Sequence, residues 1–146
     1  MRRILITAIL VLFAAAGVAY AQDPVKVDPK HYKVEFENAQ VRVLRISYGA
    51  HEKSVMHEHH PGTAIFLTDQ SIKFTFPDGS SEVVPGKAGE TVWIPGGKHN
   101  PENLSDKPME AVLVEEKTMP IPAAPMKLQT PSKKSSTKAP AKKSNP

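Results

Sequence analysis

GETVWIPGGKHNPEN, residues 89 to 103, decides how the rest of the chain is read. A glycine opens the stretch. Thr91 to Ile94 follow as a β-rich apolar run, and Pro95-Gly96-Gly97 supplies a turn. His99 stands two residues past that turn, and Asn103 four residues further on.

Upstream, MHEHHPG (56–62) packs three of the six histidines of the chain into four positions. In a strand, residues two apart project to the same side. His57 and His59 therefore share one face, and Glu58 and His60 share the other. Two imidazoles on one face can grip a metal, because neutral imidazole suits Zn, Fe, Mn, Ni and Cu. The heptapeptide alone fits an exposed pair in a polar loop equally well.

Between residues 22 and 117 no long apolar pattern of period 3.6 occurs. Short β-rich runs recur instead: Val41 to Tyr48, Ala64 to Leu67, Ile72 to Phe76, Glu82 to Val84, Thr91 to Ile94 and Ala111 to Glu115. Pro77-Asp78-Gly79-Ser80 reads as a hairpin turn, since Asp-Gly supplies the positive φ that such turns require. Short strands at regular spacing with Gly and Pro between them predict an all-β antiparallel sandwich or barrel in a single domain. About 95 residues are enough for one small core.

Both ends differ from this middle. Arg2 and Arg3 precede an apolar run from Ile4 to Val18, and Ala19-Tyr20-Ala21 places small residues where a signal peptidase reads. The run is short for a spanning helix. Residues 1–21 are thus expected to be a signal peptide cleaved after Ala21, and the protein to be exported, periplasmic or extracellular. Residues 118–146 carry six Lys, six Pro and no acidic residue, a composition that predicts disorder. Their charge could give weak contact with anionic envelope polymers. The net charge of +4 becomes −4 for residues 22–117 once the two arginines and six tail lysines are set aside. A nucleic-acid-binding core is not supported by that balance. There is no cysteine, so stability must come from a core, a metal or a partner subunit.

With His57 and His59, the stretch at 89–103 resembles the cupin superfamily. Its second motif, G-x5-P-x-G-x2-H-x3-N, is reproduced by Gly89, Pro95, Gly97, His99 and Asn103, with one residue missing between Gly97 and His99. The likeness runs from about Val41 to Glu116. Within the superfamily, DPKHYKVEFENAQVRVL (28–44), FTFPDG (74–79) and PEN (101–103) are similar to the small RmlC-like single-domain cupins named after β-alanine degradation. The resemblance implies a jelly-roll β-barrel of six to eight strands. It further implies that His57, His59 and His99 meet inside as ligands of one divalent metal (Fe, Zn, Mn, Ni or Cu). The family's glutamate ligand should fall near Thr63 or Ala64, and its following glycine near Asp69-Gln70; neither is present. Gly49 also stands further from His57 than the pattern has it.

A three-histidine site without a carboxylate leaves open positions on the metal, which suits a small-molecule ligand. Small-molecule oxygenation is one expectation. A non-catalytic module holding metal or a small anion is the other, since one fold hosts many functions. No catalytic residue is identified. Glu102 reads first as a solvated loop carboxylate and second as a general base near the barrel mouth. Asn103 is expected to tether the loop that holds His99, Trp93 to be a core or subunit-contact aromatic, Met56 to fill space, and His31 and His51 to lie at the surface. Cupins commonly pair through sheet faces, so a homodimer is implied by resemblance alone. Metal binding is expected to fade as pH falls through the imidazole range, about 6.5.

Overall fold

A computed structural model describes residues 22–123. The signal peptide expected at 1–21 and the tail from 124 onward lie outside the described residues. One short helix, α1 (Pro24–Val27), precedes nine strands: β1 (Tyr32–Glu37), β2 (Val41–Tyr48), β3 (His57–His59), β4 (Gly62–Phe66), β5 (Gln70–Thr75), β6 (Ser81–Gly86), β7 (Thr91–Ile94), β8 (Gly97–Asn103) and β9 (Met109–Glu116).

All pairings are antiparallel. Five strands form one sheet in the order β1-β2-β9-β4-β7, and four form the other in the order β3-β8-β5-β6. Neither sheet closes on itself, so the expected barrel is an open two-sheet jelly roll. The six runs legible in the sequence became β2, β4, β5, β6, β7 and β9. Strands β1 and β8 had no such signal. β1 is an edge strand whose residues after Tyr32 are all exposed. GKHNPEN, which forms β8, is poor in strand formers and contains Pro101, a residue disfavoured inside sheets.

Alternation explains where the core lies. In β9, Met109, Ala111, Leu113 and Glu115 are buried and the residues between them are not. In β4, Gly62, Ala64 and Phe66 point inward. Leu44 of β2 is fully covered, and Ile72 of β5 packs into the same cluster from the other sheet. Two glycines permit close approach around the site strands. A Cβ on Gly62 would stand 2.2 Å from the Val114 carbonyl oxygen. Gly96 has φ +84°, and a Cβ there would meet the Pro61 nitrogen at 2.7 Å. The Pro95-Gly96-Gly97 turn can therefore press onto the end of β3 and deliver β8 alongside it.

Candidate metal centre

Strand pairing assembles the three histidines. In the β3–β8 ladder His57 stands directly opposite His99. Opposed residues in an antiparallel pair share a face, with side chains in contact. Period two then adds His59. All three are buried, at 1%, 2% and 3% exposure. Their ring centroids lie 4.8 to 5.2 Å apart. One nitrogen from each lies within 4.8 Å of the others, the one such group among the described residues.

Hydrogen bonds set the tautomers. His57 Nδ1 donates to the Val55 carbonyl oxygen at 2.8 Å. His59 Nδ1 donates to the Glu115 carboxylate at 2.7 Å. Both Nε2 atoms are thereby left with lone pairs, and they face each other at 3.1 Å. Two lone pairs at that separation repel unless a cation, either a proton or a metal ion, lies between them. Ligands at the usual metal–nitrogen distance of about 2.0–2.1 Å lie about 2.9 Å apart at right angles and about 3.4 Å apart in a tetrahedron. The observed spacing falls between these. His99 Nδ1 is buried without a hydrogen-bond partner. The donor set thus fits a divalent metal of borderline softness. Burial, reinforced by the neighbouring His59 charge, pushes His57 down to about 3. Burial foremost, with the neighbouring His59 and His57 imidazoles adding to it, likewise holds His99 well below its ordinary value. Both stay neutral, as metal ligation requires.

Glu115 is the functional residue missed in the sequence. It is fully buried. Besides His59 it accepts from Arg42 Nε at 2.6 Å, and Arg42 continues to Asp23 at 2.9 Å. Arg42 and Glu115 are directly opposed in the β2–β9 ladder. Burial pushes the Glu115 carboxyl up, but the hydrogen bonds and charges of His59 and Arg42 hold it at about 2. A signal was present: Glu115 occupies the inward phase of MEAVLVEE, and Arg42 the inward phase of VRVLRISY. A carboxylate thus stands behind the three histidines, on the far nitrogen of His59.

Two tyrosines complete the wall. Tyr32 and Tyr48 share a hydroxyl–hydroxyl hydrogen bond of 2.7 Å, and the Tyr32 ring lies 4.8 Å from His57 and 5.5 Å from His59. Burial raises the pKa of both, so they are neutral phenols. His31 was expected at the surface; it is 6% exposed. Its ring stacks on Tyr48 at 4.2 Å, with Nδ1 at 2.6 Å from Asp28 and Nε2 at 3.0 Å from Glu52. Asp28 also accepts from Ser54, whose Oγ is 3.4 Å from His57 Nδ1. Sequence alternation could not reveal His31, because it precedes β1 and is buried by this long-range network.

The other candidates fall outside the cluster. His60 is half-buried beyond β3, beside Glu58 and Arg42. His51 is exposed and bonded to Asp106 at 2.7 Å. Glu102 sits in the outward phase of β8, 3.9 Å from Lys53, and not in the site. Trp93 is half-buried on the outer side of its sheet, in register with Thr63, rather than in the core. Met56 is half-buried beside His57. Asn103 ends the His99 segment, which is strand β8 rather than a loop. It donates to the carbonyls of Gly49 and Lys107, at 2.9 and 2.8 Å, and so ties the β8–β9 turn to the end of β2.

A cavity of about 60 Å³ adjoins the centre, lined by His59, His99 and mostly apolar side chains such as Ile72, Phe74 and Leu113. No family model matches the sequence, and no curated protein matches it. Among solved structures, a cupin domain from Bordetella pertussis is similar at 24% identity. The match covers 60% of this chain and 92% of that one, with a TM-score of 0.55. An RmlC-like cupin with a double-stranded β-helix fold from Methanocaldococcus jannaschii is 19% identical, over 61% and 83% of the two chains, with a TM-score of 0.46. An uncharacterised conserved protein with a double-stranded β-helix domain from Klebsiella pneumoniae is 17% identical, over 68% and 84%, with a TM-score of 0.47. Two antiparallel sheets with three inward histidines on β3 and β8, together with the likeness to the Bordetella pertussis cupin domain, give this chain the cupin fold.

Proposed function

We propose that this chain is a mononuclear metal protein, exported as its first 21 residues suggest, in which His57, His59 and His99 hold one divalent ion. The observation that carries the reading is the 3.1 Å approach of two imidazole nitrogens whose tautomers aim lone pairs at each other. Bound there, the ion would supply Lewis acidity and open positions for small ligands, which suits oxidation of a small molecule by dioxygen. The chain's own residues do the rest. Val55 and Glu115 lock the rings of His57 and His59 through their Nδ1–H groups, a support that conditions metal affinity. Glu115 also places negative charge behind His59, offsetting part of the ion's charge. The neutral Tyr32–Tyr48 pair offers a hydroxyl hydrogen bond beside His57. The apolar cavity excludes bulk water from the side of His59 and His99.

One observation favours the non-catalytic alternative. At about 60 Å³ the cavity is well below the volume of ordinary small-molecule sites, roughly 300–1,000 Å³. A protein that holds metal and takes up only a few-atom ligand fits that volume. Two measurements test both readings. Elemental analysis of protein purified from its native compartment should return about one divalent ion per chain; a metal-free protein that also fails to take up Fe, Zn, Mn, Ni or Cu on titration rules out the site. Oxygen consumption by the Fe(II)-loaded protein across a panel of small organic acids and alcohols then separates oxygenase from binder.

A further inference from the structure

A second, larger recess of about 420 Å³ opens on the protein surface between the β4–β5 turn, the end of β6 and the β8–β9 turn. Its walls include Asp69, Gln70, Gly86, Lys87 and Lys107. Gln70 is the one residue that lines both this groove and the cavity at the metal centre. Three features converge on it. Gln70 stands opposite Gly86 in the β5–β6 ladder. A Cβ on Gly86 would lie 2.2 Å from the Phe66 ring and 3.3 Å from Gln70 Cγ, so Phe66, Gly86 and Gln70 close this end of the interior. The Gln70 side-chain oxygen is buried and has no hydrogen-bond partner, an uncommon state for a buried polar atom.

We propose that groove and cavity are two halves of one binding site, and that the Gln70 side chain is the gate between them. The inference rests on the metal reading only for what lies at the far end. Gln70 lines both volumes, so a swing of its side chain beside Gly86 and Phe66 joins them. The ligand class follows from the walls. The inner half is apolar, so it takes the body of a slender, uncharged chain of a few heavy atoms. The unpartnered oxygen at the boundary takes a hydrogen-bond donor, so the ligand carries a hydroxyl or amine at its outer end. The groove is of mixed charge, with Lys87 bonded to Asp69 at 2.7 Å. It tolerates a polar head of either sign.

The test uses the mature full chain and two probes. In the metal-free protein the probe is xenon, which enters dry apolar cavities, and its exchange rate is read from line shapes of interior residues. In the Fe(II)-loaded protein, nitric oxide association is followed by stopped-flow absorbance. Gln70→Ala should speed both rates by roughly tenfold, the size of one strained rotamer, and Gln70→Trp should slow both by as much. Thermal midpoints of the two variants report whether the fold is kept; Gln70→Asn, which shortens the side chain and keeps the amide, is the fallback and should also speed both rates. Rates indifferent to all three variants would overturn the gate. If the chain takes up no Fe(II) while xenon exchange still responds to Gln70, the metal reading fails and the gate stands. If Fe(II) binds and neither probe responds, the reverse holds.

Discussion

Replacing Glu115 by glutamine should weaken the metal centre and the fold together, although Glu115 is not a ligand. The carboxylate accepts from His59 Nδ1 at 2.7 Å and from Arg42 Nε at 2.6 Å, and it is fully buried. Glutamine keeps the shape and one acceptor oxygen. Its NH₂ group then faces a donor, so either His59 or Arg42 loses its partner. A hydrogen bond to a charged group contributes about 1.5–3 kcal/mol. Arg42 retains Asp23 at 2.9 Å, which places the loss toward the lower part of that range, about 2 kcal/mol. For a domain of this size that is roughly a 10 °C fall in thermal midpoint. His59 is no longer locked in one tautomer, and metal affinity should drop about 10–100-fold. Thermal melts of the metal-free protein isolate the first effect; Zn(II) titration against a competing chelator isolates the second. Glu116→Gln, one residue away and exposed, is the control and should stay within about 0.5 kcal/mol of wild type. Should Glu115→Gln match Glu116→Gln in both assays, the Arg42–Glu115–His59 array has no energetic part in the site.

Three further outcomes are expected. Single alanine substitutions at His57, His59 or His99 should abolish stoichiometric metal after dialysis, while His60→Ala keeps it; the opposite pattern would move the site to a local clamp on residues 57–60. Stability of the metal-free protein should depend on pH through His57 and His99. Burial holds His57 near 3 and His99 well below its usual value, whereas the unfolded chain titrates near 6.5. Between about 3 and 6.5 the unfolded chain therefore binds protons that the folded chain refuses, so stability is full above about 6.5 and drains as pH falls. Urea midpoints measured from pH 8 to 4 check this, and a flat profile refutes it. Mass spectrometry of exported protein should find a chain beginning at Gln22; an intact Met1 species in the membrane fraction would contradict the leader reading.

How much of this was legible in the sequence depended on which periodicity carried it. Strands with apolar alternation, such as VRVLRISY and TVWI, could be read directly, with β2 and β7 bounded as expected. The histidine set was legible from a local rule, period two, joined to a resemblance that supplied His99. What escaped reading was polar or irregular sequence forced into order by its neighbours. GKHNPEN is a strand because β3 and β5 flank it, and its inward phase carries Gly97, His99, Pro101 and Asn103. His31 is buried by Asp28, Glu52 and Tyr48, partners up to 21 residues away that no window would join. Glu115 lay within reach, since a charge in the inward phase of an apolar strand demands a buried partner. Arg42 in the inward phase of β2 was that partner, 73 residues earlier.

The segment ahead of β1 has a practical bearing on how this protein is prepared. The backbone carbonyl of Gln22 accepts from Glu58 N at 3.0 Å, between the two histidines of β3, and Pro24 is wholly buried. Asp23 is joined through Arg42 and Glu115 to His59. A purification tag fused ahead of Gln22 thus begins next to Asp23, three contacts from His59 of the candidate centre. A polyhistidine tag at that end would bring competing imidazoles and altered charge to the back of the site. Affinities measured on such material describe the fusion. A handle at the opposite terminus, removed before titration, leaves the Asp23–Arg42–Glu115–His59 array to report its own chemistry.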